Sequence, residues 1–327
     1  MADLSTYYLG IELKNPIIAS SSSLTSNISK LKKIEEAGAG AVVLKSLFEE
    51  QVLFENKETL DQGDSAWHTE VYDYINKISM EYGPDYYIKL IKDAKKELSI
   101  PVIASLNCIS DKVWIDYSKK IEDAGADALE LNLAILPNNP DKNSLDIENL
   151  YIEIIKNVRK SIKLPLSIKI GPFFTNLSNI VQKFSDIGIN GIVLFNRFYN
   201  FDIDIEKIKL KPANILSSPT EMYTSLRWTS LLSGQFEFDI AASTGIYNAE
   251  SVIKFLLGGA TVCQICSVLY KNGIDSITNI LKGIEEWMNK KNYKTISDFR
   301  GLLSRSRSEY PESYERLQYI KGLTGIE

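Results

Sequence analysis

One pattern recurs along this chain: an amphipathic segment ends at glycine, and a short apolar run follows it. It is clearest at residues 121–133, where the amphipathic segment reaches Gly125 and the apolar run occupies 128–133. The first half is typical of a helix with a glycine C-cap, and the second half is typical of a buried strand. The pattern returns at residues 34–45, 184–196 and 255–265. Because parallel strands need a crossover connection, these repeated units predict a parallel α/β protein.

The spacing of the apolar runs predicts how many strands the sheet has. Eight are expected, at residues 17–19, 41–44, 102–106, 128–133, 166–170, 192–195, 238–241 and 261–265. Eight strands that alternate with eight helices predict an α/β fold of the (β/α)8 TIM-barrel class. Two short apolar runs around Gly10 predict an N-terminal β-hairpin that closes the bottom of the barrel. We expect one domain over residues 1–327, with rim insertions at 47–84 and 196–222 and a helical tail at 292–327 outside the barrel.

Composition excludes several classes of function. The chain is 44% hydrophobic and 24% charged, as in an ordinary globular protein. Its formal net charge of -5 offers no positive field for a polyanion, so no nucleic-acid partner is expected. No apolar run approaches the roughly 20 residues that cross a bilayer, and the N-terminus lacks the pattern of a signal peptide. We therefore expect a cytoplasmic protein without a membrane partner.

Polar side chains lie where the predicted strands end. In a parallel barrel these ends meet at one rim, which carries the functional residues. The set is Ser20, Lys45, Ser46, Asn107, Asn132, Lys169, Asn196, Thr244, Gly245, Cys266 and Ser267. It consists of amides, hydroxyls and two lysines, with no histidine and almost no carboxylate. Ser-His-Asp catalysis, carboxylate-pair hydrolysis and metal hydrolysis therefore lack their residues, and no metal site is expected.

Small residues after the last two predicted strands indicate a phosphate-binding site. Thr244 and Gly245 follow one strand, and Cys266 and Ser267 follow the other and begin a predicted helix. Backbone N–H groups and a helix N-terminus bind phosphate at this place in barrels of this class. Two lysines and neutral donors beside a phosphate suit a phosphorylated redox cofactor, since lysine can stabilise negative charge on a reduced flavin. No G-x-G-x-x-G follows the first strand, so a Rossmann dinucleotide site is not expected.

Six segments spread over nearly the whole chain are specific in combination, although no single one is. They are Asn15-Pro16 to Ala19-Ser20, Lys45-Ser46, Glu130-Leu131-Asn132-Leu133, Pro165 to Lys169, Thr244-Gly245-Ile246, and Gly259 to Ser267. Together they resemble the dihydroorotate dehydrogenase family, and within it the cytosolic class 1. The resemblance implies an FMN-containing barrel, usually a homodimer, that oxidises dihydroorotate to orotate in pyrimidine biosynthesis.

The resemblance also implies roles for individual positions. The flavin would be lined by Ala19, Ser20, Lys45, Ser46, Asn107, Asn132, Lys169 and Phe195. Its ribityl phosphate would be held by Ser217, Ser218, Thr244, Gly245, Cys266 and Ser267. A small anionic substrate would face Lys45, Asn132 and Asn196, with Arg197 as a further candidate anion contact. Lys45 is the candidate catalytic residue.

The chain departs from the family pattern at the catalytic base. The family's strand-four motif continues Asn-Leu-Ser-Cys-Pro-Asn, and its Cys, or a Ser in other classes, removes the substrate proton. Here residues 132–138 are one residue longer and apolar at the base position, which is occupied by Ile135 and Leu136. The family's Asn-x-Met-Gly-Leu-x-Asn substrate loop is also absent from residues 76–83. General-base catalysis typically contributes roughly 10² to 10⁴-fold, so we expect slow dihydroorotate oxidation or a different substrate.

Several alternatives stay open. His68, the only histidine, or Tyr82 could donate a proton in an enoate-like reduction on the same flavin. The chain could also be a flavin-binding or regulatory barrel that has lost its chemistry, or a phosphate-binding barrel without flavin. In the second insertion, acidic residues alternate with isoleucines at 202–206, which favours an exposed edge strand over a cation site.

Overall fold

The computed structural model describes residues 2–55, 82–110, 114–197 and 200–325. Its strands are β1 Thr6–Tyr8, β2 Ile11–Leu13, β3 Ile17–Ala19, β4 Ala41–Val43, β5 Leu47–Phe48, β6 Val102–Cys108, β7 Ala128–Leu133, β8 Leu166–Ile170, β9 Gly191–Leu194, β10 Phe201–Asp204, β11 Lys209–Pro212, β12 Asp239–Ser243 and β13 Val262–Ile265. Eight of them pair in parallel in the order β3-β4-β6-β7-β8-β9-β12-β13, and β13 pairs with β3 to close the ring. The predicted (β/α)8 TIM barrel is confirmed.

The helices of the described residues lie between and after these strands. They are α1 Ile28–Glu36, α2 Glu49–Glu55, α3 Pro84–Glu97, α4 Trp114–Asp123, α5 Ser144–Ser161, α6 Leu177–Ile187, α7 Met222–Leu232, α8 Ala249–Gly258, α9 Ser267–Asn272, α10 Ser276–Lys291 and α11 Tyr314–Thr324. Apart from α11, which is exposed, helices of this set pack their apolar faces on the outside of the barrel and form the main core. In that part of the chain, no helix combines the length and apolarity needed to span a bilayer.

Glycine ends the helix that precedes β7, as the sequence predicts. Helix α4 stops at Asp123, and Gly125 adopts a left-handed conformation with φ 90°. Its N–H donates to the carbonyl of Glu122 at 3.0 Å. Only glycine enters this region without steric cost, so the residue both terminates the helix and redirects the chain into the strand.

The N-terminal hairpin closes the bottom of the barrel, which confirms the prediction. Strands β1 and β2 pair antiparallel around a turn at Leu9 and Gly10. The Tyr8 hydroxyl lies 3.1 Å from Ser167 Oγ inside the barrel, and the Leu9 N–H donates to Asp239 Oδ2 at 2.7 Å. Burial, with the nearby charge of Glu130, raises the pKa of the Tyr8 hydroxyl, so it stays protonated. The sealed end leaves the carboxyl ends of the strands as the open face.

Two predicted details differ from the structure. Strand β6 runs to Cys108, two residues beyond the predicted end, so Asn107 lies within the strand. The acidic segment of the second insertion forms β10, which is exposed as expected but pairs with β11 in a separate ribbon. There Asp202 Oδ2 lies 3.1 Å from Lys211 Nζ. The described residues contain no group of three or more His, Cys, Asp or Glu that could hold a metal ion.

The segment after α10 packs against the barrel only in its first part. Phe299 is fully buried, and the N–H of Gly301 donates to the carbonyl of Leu256 in α8 at 2.9 Å. Helix α11 is exposed along its length and is tied to α7 by an ion pair between Arg227 and Glu315 at 2.6 Å. The apolar contacts that hold the tail are therefore those before α11.

Candidate active site

A cavity of about 630 Å³ opens at the carboxyl ends of β3, β8, β9, β12 and β13. Its volume is within the range of small-molecule and cofactor sites. Ten predicted site residues line it: Ser20, Lys169, Phe195, Asn196, Arg197, Ser217, Thr244, Gly245, Cys266 and Ser267. The structure therefore brings the predicted phosphate-binding segments and one of the two lysines to a single place.

Three loops are fastened together at one end of this cavity. The N–H and the hydroxyl of Ser217 both donate to Ser267 Oγ, at 3.0 and 2.9 Å. The N–H of Gly245 donates to Ser217 Oγ at 3.3 Å. Behind them, the Tyr247 hydroxyl and Lys271 Nζ both donate to the carbonyl of Ser217. These bonds join the segments after β9, β12 and β13 into a cradle of small polar groups, which we call the serine cradle.

Gly245 is required by the shape of the serine cradle. Its φ is 73°, and a Cβ atom built on it would lie 2.5 Å from the backbone nitrogen of Met222, where α7 begins. No other residue type fits such a contact, because both the conformation and the space exclude a side chain. The loop after β12 therefore approaches the start of α7 closely.

Lys169 lies at the floor of the cavity. In the sheet register, Asn107 of β6 aligns with Asn132 of β7, and Asn132 aligns with Lys169 of β8. Lys169 is 8% exposed, and its ammonium donates to Ser20 Oγ at 3.3 Å and Gln264 Oε1 at 3.5 Å. Side chains at one register level of neighbouring parallel strands share a face, so the two amides and the ammonium form one row.

Two buried polar residues beneath this row were assigned no role from the sequence. Glu130 of β7 accepts a hydrogen bond from Gln264 Nε2 of β13 at 2.6 Å, and both side chains are buried. The available signal was the placement of Glu130 and Asn132 two residues apart in an otherwise apolar strand. That spacing puts both side chains on one face, but it does not reveal the partner on a strand more than 130 residues away.

Asn132 presents an unsatisfied acceptor. Its Oδ1 atom is buried and has no hydrogen-bond partner among the residues that the structure describes. An unpaired buried acceptor is costly, and such atoms usually have a partner in the functional state. The amide therefore points to a donor that a ligand would supply.

Lys45 and Ser46 lie apart from the cavity lining. The Lys45 ammonium sits 4.1 Å from the ring centroid of Tyr82, in a small crevice that also contains Tyr86. Ser46 Oγ lies 2.7 Å from Ser105 Oγ within the barrel wall. The remaining predicted residues outside the cavity lining are Ala19, Asn107, Asn132 and Ser218. The structure thus places in two different cavities the two lysines that the sequence placed in one site.

Arg197 lines the cavity, but its guanidinium already contacts a carboxylate. Its Nε donates to Glu221 Oε2 at 2.7 Å, and its Nη1 donates to the carbonyl of Ile215 at 3.0 Å. Glu221 also accepts from the N–H of Ser218 at 2.7 Å. Burial acts to raise the pKa of Glu221, but these hydrogen bonds outweigh it and hold the pKa below the ordinary 4.5. Arg197 therefore stabilises the loop at residues 215–221, which contributes Ser217 to the serine cradle.

The Arg197–Glu221 pair should make stability depend on pH in a defined direction. Because the pKa of Glu221 is lowered by folding, its contribution is present above about pH 4.5 and is lost as pH falls through the folded-state value. The side chains are 19% and 34% exposed, so screening limits the contribution to about 1 kcal/mol. In urea unfolding, we expect Glu221→Gln to be less stable than the wild type by this amount at about pH 7, and the difference to shrink as pH falls below about 4.5.

The control for this measurement is Glu237→Gln, at an exposed loop position. We expect the difference in unfolding free energy between this variant and the wild type to be small at about pH 7 and at about pH 3. A loss for Glu221→Gln that persists undiminished at about pH 3 would contradict the role of its charge.

Ile135 and Leu136, which occupy the position of the catalytic base in the resembled family, also have no titratable side chain beside them in residues 134–138. Ile135 is 7% exposed and lines a second cavity of about 230 Å³ together with Tyr151 and Phe174. Leu136 is 62% exposed. Cys266 brings a thiol to the main cavity, but burial raises its pKa, against the opposing charge of Lys169. His68 and most of the first insertion lie outside the described residues.

These features define a class: a (β/α)8 barrel, sealed at the bottom, whose ligand cavity lies at the carboxyl ends of its strands. A family model described as "Dihydroorotate dehydrogenase" matches residues 3–288. The chain therefore belongs to the dihydroorotate dehydrogenase family, as the motifs predicted.

Three curated relatives are similar to nearly the whole chain. Dihydroorotate dehydrogenase B (NAD(+)), catalytic subunit, of Methanocaldococcus jannaschii is 28% identical over 316 residues, which cover 91% of this chain and 97% of the relative. The protein of the same name from Thermoplasma acidophilum is 27% identical and covers 93% of this chain and 100% of the relative. Dihydroorotate dehydrogenase A (fumarate) of Lactococcus lactis subsp. lactis is 26% identical, with coverage of 92% and 99%.

Proposed function

We propose that this protein is an FMN-dependent oxidoreductase that converts dihydroorotate to orotate in pyrimidine biosynthesis. Family membership over residues 3–288 is the observation that carries the proposal, and the names of the relatives favour catalysis over a non-catalytic flavin-binding barrel. The cavity at the strand ends supports a cofactor of this kind, because an ammonium and a cradle of small residues lie within it.

The residues present fit FMN on three observations. The buried Oδ1 of Asn132 lacks a donor among the described residues, and a flavin ring carries an N–H group. Lys169 offers a cation at the floor of the cavity. The serine cradle lines the same cavity with the hydroxyl groups of Ser217 and Ser267, which are hydrogen-bonding groups suited to a phosphate. We therefore assign Asn132 and Lys169 to the flavin ring and Ser217, Gly245 and Ser267 to its phosphate.

The chain's own groups would bind, orient and stabilise charge. When bound, FMN would accept a hydride from the CH–CH group of the substrate. Lys169 would stabilise the negative charge that follows at the ring, and Asn196, which lines the cavity, would orient the substrate. We also propose that Lys45 contacts the substrate's carboxylate and acts as a catalytic residue. The slow step would be removal of the substrate proton, since residues 134–138 carry no titratable side chain.

The proposal is tested by mixing the purified, oxidised protein with dihydroorotate under anaerobic conditions. We expect the visible absorption band of the flavin to bleach slowly. A flavin that keeps its colour with dihydroorotate would reject this substrate and favour another small anion or the non-catalytic alternative. A colourless protein that binds no added FMN would reject the flavin itself.

We further propose that the protein acts in the cytoplasm as a single FMN-binding domain and forms a homodimer. The exposed apolar side chains of the β10–β11 ribbon support an association, because large apolar patches usually mark contact surfaces. They include Phe201 and Leu210, which are 63% and 66% exposed. Light scattering of the purified chain measures this directly, and a monomeric mass would contradict the dimer.

A further inference from the structure

A carboxylate lies inside the barrel beneath the floor of the cavity. Glu130 is 1% exposed, and Gln264 Nε2 holds its Oε2 at 2.6 Å. Its Oε1 lies 4.0 Å from Lys169 Nζ and has no hydrogen-bond partner within the described part of the chain. A charge persists in such a place only when an opposite charge accompanies it. The ammonium of Lys169 is therefore the group that Glu130 requires.

Lys169 depends on Glu130 in turn. The side chain of Lys169 is 10% exposed, and the two hydrogen-bond acceptors of its ammonium, Ser20 Oγ and Gln264 Oε1, are neutral. A buried ammonium is costly unless a negative charge is near. Gln264 touches both partners, since its amide nitrogen donates to the carboxylate while its amide oxygen accepts from the ammonium. The three side chains therefore form one unit across β7, β8 and β13.

We propose that Glu130 is a positioning residue: its carboxylate, oriented by Gln264, holds the Lys169 ammonium in place at the floor of the flavin site. This inference rests on the proposed function, because the ammonium matters for catalysis only if a flavin lies above it. Glu130 affects the cofactor only through Lys169, so it is not a catalytic residue.

The direction in which the midpoint potential of the bound flavin changes distinguishes an effect of Glu130 through Lys169 from a direct effect of its charge on the flavin. If Glu130 acts through Lys169, removing the carboxylate removes the group that holds the ammonium beneath the flavin, and the reduced, negatively charged flavin is bound less tightly. If Glu130 acted only by its own negative charge, removing it would bind the reduced flavin more tightly. The midpoint potential of the bound flavin therefore falls in the first case and rises in the second.

The pairing itself can be tested without flavin. In the flavin-free full chain, Glu130→Gln strands a buried ammonium, whereas Glu130→Gln combined with Lys169→Met does not. We expect the double variant to be less destabilised than the sum of the single variants, with a coupling of at least about tenfold in the unfolding equilibrium constant. Additive effects would overturn the inference, whether or not the protein binds flavin.

The consequence for the cofactor is tested on the FMN-loaded full chain. We expect Glu130→Gln and Lys169→Met each to weaken binding of reduced relative to oxidised flavin about tenfold, which lowers the midpoint potential by about 30 mV. The double variant should show no further fall, and Glu130→Asp, which keeps a carboxylate, should restore part of the loss. Should Glu130→Gln be too unstable, Gln264→Leu removes the orienting hydrogen bond and should also lower the potential. An unchanged or raised potential would overturn the inference.

Ser167→Ala is the matched control. Ser167 aligns with Glu130 in the sheet register, and its hydroxyl contacts Tyr8 rather than Lys169. We expect this variant to lose stability but to keep the wild-type midpoint potential. A wild-type protein that binds no FMN would contradict the proposed function. The inference about Glu130 would still be tested by the coupling between Glu130→Gln and Lys169→Met in unfolding of the flavin-free chain.

Discussion

Restoring a thiol at the tip of β7 is expected to accelerate dihydroorotate oxidation by roughly 10² to 10⁴-fold. The change is deletion of Ile135 combined with Ala134→Ser and Leu136→Cys, which reproduces the family's Asn-Leu-Ser-Cys-Pro-Asn motif after β7. The gain is expected because residues 134–138 contain no titratable side chain, so the substrate proton has no base there. The rate is read from flavin bleaching after anaerobic rapid mixing with dihydroorotate.

The structure indicates that the chain can accept this change at some cost. Leu136 is 62% exposed, so its replacement disturbs little packing, whereas Ile135 is buried beside the second cavity. Loss of the Ile135 side chain should lower the free energy of unfolding by about 2 kcal/mol. The variant should therefore be less stable than the wild type and yet faster.

The control carries the same deletion and Ala134→Ser but has Leu136→Ala. It shares the shortened loop and lacks the thiol, so we expect its bleaching rate to stay near that of the wild type. Equal rates in the two variants would show that the tip of β7 does not face the substrate, or that a different group already removes the proton.

Gly245→Ala is expected to disrupt the serine cradle. The new Cβ atom would lie 2.5 Å from the backbone nitrogen of Met222, and φ at this position is 73°. The conformation costs about 1 to 2 kcal/mol and the forced contact about 2 kcal/mol more, so stability should fall by about 3 kcal/mol. Displacement of the loop should weaken FMN binding by roughly 30-fold, the equivalent of the contact energy. Urea unfolding and titration with FMN measure the two effects.

Gly125→Ala is the matched control for Gly245→Ala. Gly125 has a φ of 90°, but a Cβ atom added to it would meet no described atom within 4 Å beyond its chain neighbours. We expect this variant to lose only the conformational cost of about 1 to 2 kcal/mol and to bind FMN as the wild type does. Equal losses of FMN affinity in both variants would mean that the close contact with Met222 does not shape the site.

Much of the fold could be predicted from local pattern. The alternation of amphipathic segments and apolar runs predicted the eight strands, and Gly125 marked the end of α4 because only glycine adopts its conformation freely. The bottom hairpin followed from two apolar runs around Gly10. Strand ends were less certain: β6 extends through Asn107 to Cys108, because pairing with β7 continues there at Asn132 and Leu133.

The candidate site could be predicted only in part. The segments predicted to bind phosphate do line one cavity, because small residues after parallel strands necessarily meet at one rim. Lys45 and Lys169 are also both at strand ends, but the ammonium of Lys45 lies against Tyr82 and that of Lys169 turns into the cavity. Arg197 was predicted to meet an anion, and it meets the carboxylate of Glu221. Side-chain direction at a rim depends on neighbours from other loops, which periodicity does not describe.

The order of hydrophobic and small residues along the chain determined the barrel, its open face and its family. All three could be predicted because they depend on the spacing of residues that are close in sequence. Closure of the barrel alone decided that Glu130, Lys169 and Gln264 meet, because these side chains come from strands that are distant in sequence and project into one interior. Inside that space water is largely excluded, so each buried charge needs a partner that only the folded chain can supply.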